Sequence, residues 1–106
     1  MNEVIKLSAL VDSPELAKFS KNARTVAGTF FGHLPTKASV RFTMKHQVPT
    51  EFTRHGLIEL VNRKVLKCTI HADESQVYQI LEDCTGFLKF RDNPMKLLQP
   101  VNRRGR

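Results

Sequence analysis

Residues 39–48 read Ser-Val-Arg-Phe-Thr-Met-Lys-His-Gln-Val, the clearest alternation in the chain. Val40, Phe42, Met44, His46 and Val48 fall on one side of an extended backbone, and Ser39, Arg41, Thr43, Lys45 and Gln47 on the other. Successive side chains of a strand point to opposite faces, so the pattern predicts a strand with one buried and one wet face. Pro49 ends it.

Toward the C-terminus, residues 50–56 read as a loop closed by Gly56. Residues 57–61 and 65–71 then flank Asn62, Arg63 and Lys64 as the arms of a hairpin. In its second arm Leu66, Cys68 and Ile70 point one way, and Val65, Lys67, Thr69 and His71 the other. Asp73, with Gln76 three residues on, has the spacing of a helix cap. Val77, Ile80, Leu81 and Cys84 follow as one apolar stripe, and Gly86 closes the expected helix. Phe87, Leu88 and Phe90 read as an edge strand broken by Asn93-Pro94, and residues 101–106 as a mobile tail.

Toward the N-terminus, residues 3–11 alternate as a first strand would. Asp12, Ser13, Pro14 and Glu15 mark a helix start, since a serine can cap the first amides and proline lacks the amide that would go unpaired. Two readings compete beyond it. Leu16, Phe19, Ala23, Val26, Phe30 and Leu34 recur at helical spacing, yet Gly28 and the β-branched Thr25, Val26 and Thr29 cost helix stability. The second consideration favours a helix ending near Ala23 and a strand over residues 25–31. The expected fold is α+β: a mostly antiparallel sheet of about four to five strands with two helices on one face, spanning residues 1–100 as one domain.

At 106 residues the chain suits one core, which excludes an enzyme with separate cofactor and substrate domains. With 41% hydrophobic and 25% charged residues the composition is that of a soluble globular protein. A membrane span needs ~20 consecutive apolar residues, far more than any run here. Lys6 and Ser8 interrupt the apolar N-terminal stretch, so no signal peptide is expected. Cys68 and Cys84 are expected to stay reduced in a cytoplasmic protein, or in one made inside a cell by an infecting element. In size, charge and lack of motif the chain resembles many small proteins of phages and mobile elements, a compositional likeness that identifies no relative.

Seventeen Lys and Arg oppose ten Asp and Glu, a formal net charge of +7. The excess is uneven. Residues 37–71 carry Lys37, Arg41, Lys45, Arg54, Arg63, Lys64 and Lys67 against Glu51 and Glu59, whereas residues 72–86 carry only Asp73, Glu74, Glu82 and Asp83. Residues 87–106 are basic again and end in Arg103, Arg104 and Arg106.

The residues that carry chemistry elsewhere form no pattern here. His33, His46, His55 and His71 have no metal-ligand spacing, and Cys68 and His71, three apart on a strand, would face opposite ways. No phosphate-cradling or nucleophile motif is present, and no cofactor is expected. A metal-independent nuclease using His46 or His71 is the weakest of three functional readings. The basic strands are the better signal. If residues 39–48 and 65–71 share a sheet, Arg41, Lys45 and Lys67 project from its wet face with Thr43 and Thr69 between them. Arg63 and Lys64 extend the patch at the hairpin tip, and Arg103, Arg104 and Arg106 add a flexible arm. Cations release counterions from a phosphate backbone and hydroxyls bond its oxygens, so the expected partner is nucleic acid, DNA or RNA. Phe42 has a buried phase and Tyr78 is assigned to the helix, which leaves Phe52, Phe87 and Phe90 for stacking. Phosphate contact is therefore better supported than base reading. The alternative is a module that binds an acidic protein surface, or a second copy of the chain by strand addition to a homodimer.

Overall fold

The computed structural model describes residues 14–43 and 47–100. The expected first strand, Asp12 and Ser13 of the helix start, and the basic tail lie outside those residues. Helix α1 spans Pro14–Ala17 and α2 spans Lys21–Val26, continuing as a π-helical segment over Ala27–Phe31. Strands β1 (Ser39–Phe42) and β2 (Gln47–Pro49) follow, then helix α3 (Glu51–Asn62) and strands β3 (Leu66–Ile70) and β4 (Gln76–Ile80). Two 3-10 segments, Thr85–Phe90 and Pro94–Leu97, lead to β5 (Leu98–Pro100). The class is α+β, as the sequence predicts, with five described strands divided between two antiparallel sheets: β1-β4-β3 and β2-β5.

Several elements differ from expectation. Residues 25–31 are helical. Ala23, Val26, Ala27, Phe30 and Phe31 are all buried, as are Gly28 and Thr29 between them. Burying Val26, Phe30 and Phe31 yields about 1.5–3 kcal/mol each, against tenths of a kcal/mol lost per β-branched residue. The chain does break near Phe19, where the Ser20 hydroxyl accepts from the Ala23 N–H at 3.1 Å and caps α2 afresh. Gly28 packs on the backbone of Phe87, and a Cβ there would collide with that residue's carbonyl oxygen.

The long alternation of residues 39–48 divides between the sheets. Phe42 pairs with Gln76, the first residue of β4, so beyond Phe42 the first sheet offers no partner. The chain crosses over, and Val48 pairs with Gln99.

Residues 51–62 form a helix where a loop and a hairpin arm are expected. Thr50 caps it, accepting from the Thr53 N–H at 3.2 Å, and Thr53, Gly56, Leu57 and Leu60 make its buried stripe. Residues 73–86 hold no helix of the expected kind. Asp73 lies in the turn between β3 and β4, where its carboxylate accepts from the Ser75 N–H at 3.0 Å instead of capping. Residues 76–80 are the central strand, and the expected edge strand at 87–90 is 3-10 helix.

Helices and sheet meet in one core. Phe30 stands edge-on to Phe42 with ring centroids 5.2 Å apart, and Phe42 to Tyr78 at 5.7 Å. These contacts join the helical layer to the inner face of the three-stranded sheet, where Leu66 and Ile80 pair across β3 and β4.

Candidate nucleic-acid interface

Residues directly opposed in an antiparallel ladder share a face. One row runs Ser39, Gln79, Lys67 and the next Arg41, Val77, Thr69. All six therefore lie on the face turned away from the core, and each is exposed or half-buried. Arg41 and Lys67 share this face, as the alternation of each strand predicts. They are not neighbours: β4 runs between them, which puts their Cα atoms on the order of 12 Å apart. Val77 and Gln79 belong to the same surface, and the helix reading of residues 73–86 hides them.

The acidic segment is arranged around this face. Asp73 and Glu74 sit in the turn at one end of β4, and Glu82 and Asp83 follow its other end. Arg41 leans toward the first pair. Its guanidinium donates to the Ser75 hydroxyl at 2.7 Å, and that hydroxyl donates to Asp73 at 2.7 Å. The two hydrogen bonds from Ser75, with the charges of Arg41 and His71 nearby, hold the Asp73 carboxyl below its ordinary range. Lys67 stands exposed on the opposite strand.

Arg63 and Lys64 are not a hairpin tip. They close α3, and Arg63 turns into the helical layer: its guanidinium lies 4.5 Å from the Phe19 ring centroid and donates to the Lys18 carbonyl at 3.2 Å. Glu59 is 3.8 Å from the Arg63 Nε. Burial raises the Glu59 pKa, but the Ser20 hydrogen bonds and the Arg63 charge outweigh it, leaving the group below its usual value. Lys64 is exposed in a left-handed conformation just after the helix. Lys45 and the tail residues Arg103, Arg104 and Arg106 lie outside the described residues.

The groups suited to catalysis stay apart. His33 in the turn after the π-helical segment, His55 in α3 and His71 just after β3 are all exposed, and His46 lies outside the described residues. Burial, then the charges of Asp83 and Glu82, push the Cys84 thiol up to about 12, which keeps it protonated. Among the described residues no three His, Cys, Asp or Glu side chains are grouped as metal ligands would be, and no helix is long and apolar enough to cross a membrane. Comparison of the chain with protein-family models, with curated proteins and with solved structures finds no match in any of the three.

Proposed function

We propose that the protein is a small nucleic-acid-binding accessory protein that contacts the phosphate backbone through the outer face of the β1-β4-β3 sheet, with its C-terminal arginines adding contacts. The supporting observation is that Arg41 and Lys67, from strands on either side of β4, share one face with the hydroxyls of Ser39 and Thr69. Cations so spaced neutralise separate phosphates, and the hydroxyls bond phosphate oxygens. No aromatic side chain stands in either row, so the contact is to backbone and not to bases. Electrophoretic mobility shift with single- and double-stranded DNA and RNA at two salt concentrations tests the reading. The expected log–log salt slope is about −4 to −5, and Arg41→Gln with Lys67→Gln flattens it by about 2. Affinity unchanged between low and moderate salt would overturn it.

A second reading, a protein-interaction module, draws on the sheet edges. β1 and β3 flank β4 with their outer edges unpaired among the described residues, and Ile70 at the end of β3 is 67% exposed. A free edge of this kind takes an added strand. A pull-down that survives nuclease treatment favours this reading over the first.

A further inference from the structure

A second cationic surface lies on the helical side of the molecule, built from segments far apart in sequence. Lys21 and Thr25 of α2, Thr50 and Phe52 at the start of α3, and Asp92 and Lys96 between and within the 3-10 segments line an open groove of about 410 Å³. Hydrogen bonds tie its walls together. The Thr50 N–H donates to the Leu97 carbonyl at 3.1 Å, the Thr53 hydroxyl to the same carbonyl at 2.8 Å, and the Asp92 N–H to the Thr29 hydroxyl at 2.8 Å. Asn22 Nδ2 donates to the Phe52 carbonyl at 3.2 Å, fixing α2 against the start of α3. The groove is thus preformed.

Other charges adjoin the lining residues in the chain. The Arg24 guanidinium lies 5.0 Å from the Phe90 ring centroid and the Lys89 Nζ 5.1 Å. Arg24 adjoins Thr25 in the chain, and exposed Arg91 adjoins Asp92. Asp92 is the one carboxylate among the lining residues. Glu51, exposed between Thr50 and Phe52, adjoins the lining in the same sense, and none of Arg24, Arg91 and Glu51 lines the groove itself.

We infer that this groove binds single-stranded nucleic acid. Lys21 and Lys96 meet phosphates from different segments, the Thr25 hydroxyl bonds a phosphate oxygen, and the half-buried Phe52 ring receives an unstacked base. Cations interleaved with an aromatic ring form the combination that single strands favour, because every base has a stacking face and only an unpaired base can present it. The volume falls within the ~300–1,000 Å³ of small-ligand sites, room for one nucleotide unit. The site uses different residues on the opposite layer from Arg41 and Lys67, so it stands or falls apart from the sheet-face reading.

The test is fluorescence anisotropy of the full chain with a labelled oligothymidylate of about 20 nucleotides and with a hairpin duplex. The wild type is expected to prefer the single strand. Lys21→Glu with Lys96→Glu weakens its binding about tenfold or more, while Arg41→Gln with Lys67→Gln weakens the hairpin duplex at least as much as the single strand. Phe52→Leu, which keeps the phosphate contacts, weakens single-strand binding about fivefold and duplex binding less. The proposal is overturned if the wild type does not bind the oligothymidylate, or if the double lysine variant binds it as the wild type does with an unchanged circular dichroism spectrum. It also falls if the sheet-face variant accounts for the whole loss, in which case the sheet-face reading stands alone. Loss confined to the groove variants, for the duplex as well as for the single strand, leaves this site standing and removes the other. Should the double variant not fold, Lys96→Gln at an exposed position carries the test, with a loss of about threefold expected and no loss overturning the site.

Discussion

Gly56 of α3 lies against the carbonyl oxygen of Asn22 in α2: a Cβ at position 56 would stand 2.7 Å from that oxygen and 2.7 Å from Cγ2 of Val26. The two helices approach this closely only because one of them has no side chain at the crossing. Gly56→Ala raises helix propensity by about 1 kcal/mol yet forces the pair apart. The expected net effect is a destabilisation of about 1–3 kcal/mol, read as a lower urea midpoint. A midpoint at or above the wild type would mean that the crossing is loose.

Arg63 and Lys67 carry the same charge four residues apart and are expected to behave differently. Arg63 holds Phe19, Lys18 and Glu59 together, so Arg63→Ala should cost about 1–2 kcal/mol through the lost ring contact and hydrogen bond. Lys67 projects from the outer sheet face, and Lys67→Ala should stay within about 0.5 kcal/mol of the wild type. Chemical denaturation of both variants checks the contrast, and equal stabilities would contradict it. Any loss of nucleic-acid affinity in Arg63→Ala has to be read against that loss of stability.

Lys64 and Glu74 adopt φ of 65° and 69°. At Lys64 the reason is the end of α3: its N–H donates to the Val61 carbonyl at 3.0 Å, and the Val65 N–H reaches back to the Leu60 carbonyl at 2.9 Å. That pair of bonds closes a helix through a left-handed residue, where a side chain carries a cost of about 1–2 kcal/mol that glycine avoids. After the greater chain entropy of glycine is subtracted, Lys64→Gly should stabilise the fold by about 0.5–1 kcal/mol. The melting temperature should then rise by about 2–8 °C for a domain of this size. Glu74→Gly, in the turn between β3 and β4, should act in the same direction. Lower melting temperatures in both variants would contradict the backbone assignment.

Asp73 makes the fold sensitive to acid at one identifiable place. Its carboxyl is held below the ordinary range by Ser75, so its contribution to stability is present above the unfolded value of about 4 and is lost as pH falls through the lower folded value. Ser75→Ala removes the hydroxyl donor and should raise the Asp73 pKa toward the ordinary value, flattening the acid limb of the stability profile. Carbon-13 titration of the carboxyl, with unfolding midpoints from neutral to acid pH, measures both. A wild-type Asp73 that titrates in the ordinary carboxylate range would show that the Ser75 bonds do not persist.

The candidate sheet site is half legible in the chain. Alternation puts Arg41 opposite in phase to Phe42, and Lys67 opposite to Leu66, and the structure keeps both relations. The strand that separates them is not legible. Val77, Ile80, Leu81 and Cys84 fit a helical stripe as well as Tyr78 and Ile80 fit an alternating one, and a five-residue segment is too short for periodicity to decide. The groove on the helical side has no signature at all, because its residues come from three separate segments.

By itself the sequence determined the α+β class, the buried phase of Phe42 and Leu66, and the excess of positive charge. Each of these follows from residues adjacent on the chain or from composition. The tertiary structure alone decided that residues 51–62 are helical, that residues 76–80 extend, and which cations share a surface. Gly56 serves as a helix residue only because another helix presses against it, and Asp73 serves in a turn only because β4 returns beside β3. Burial across distant segments outweighs local preferences of a few tenths of a kcal/mol, and no local pattern records it.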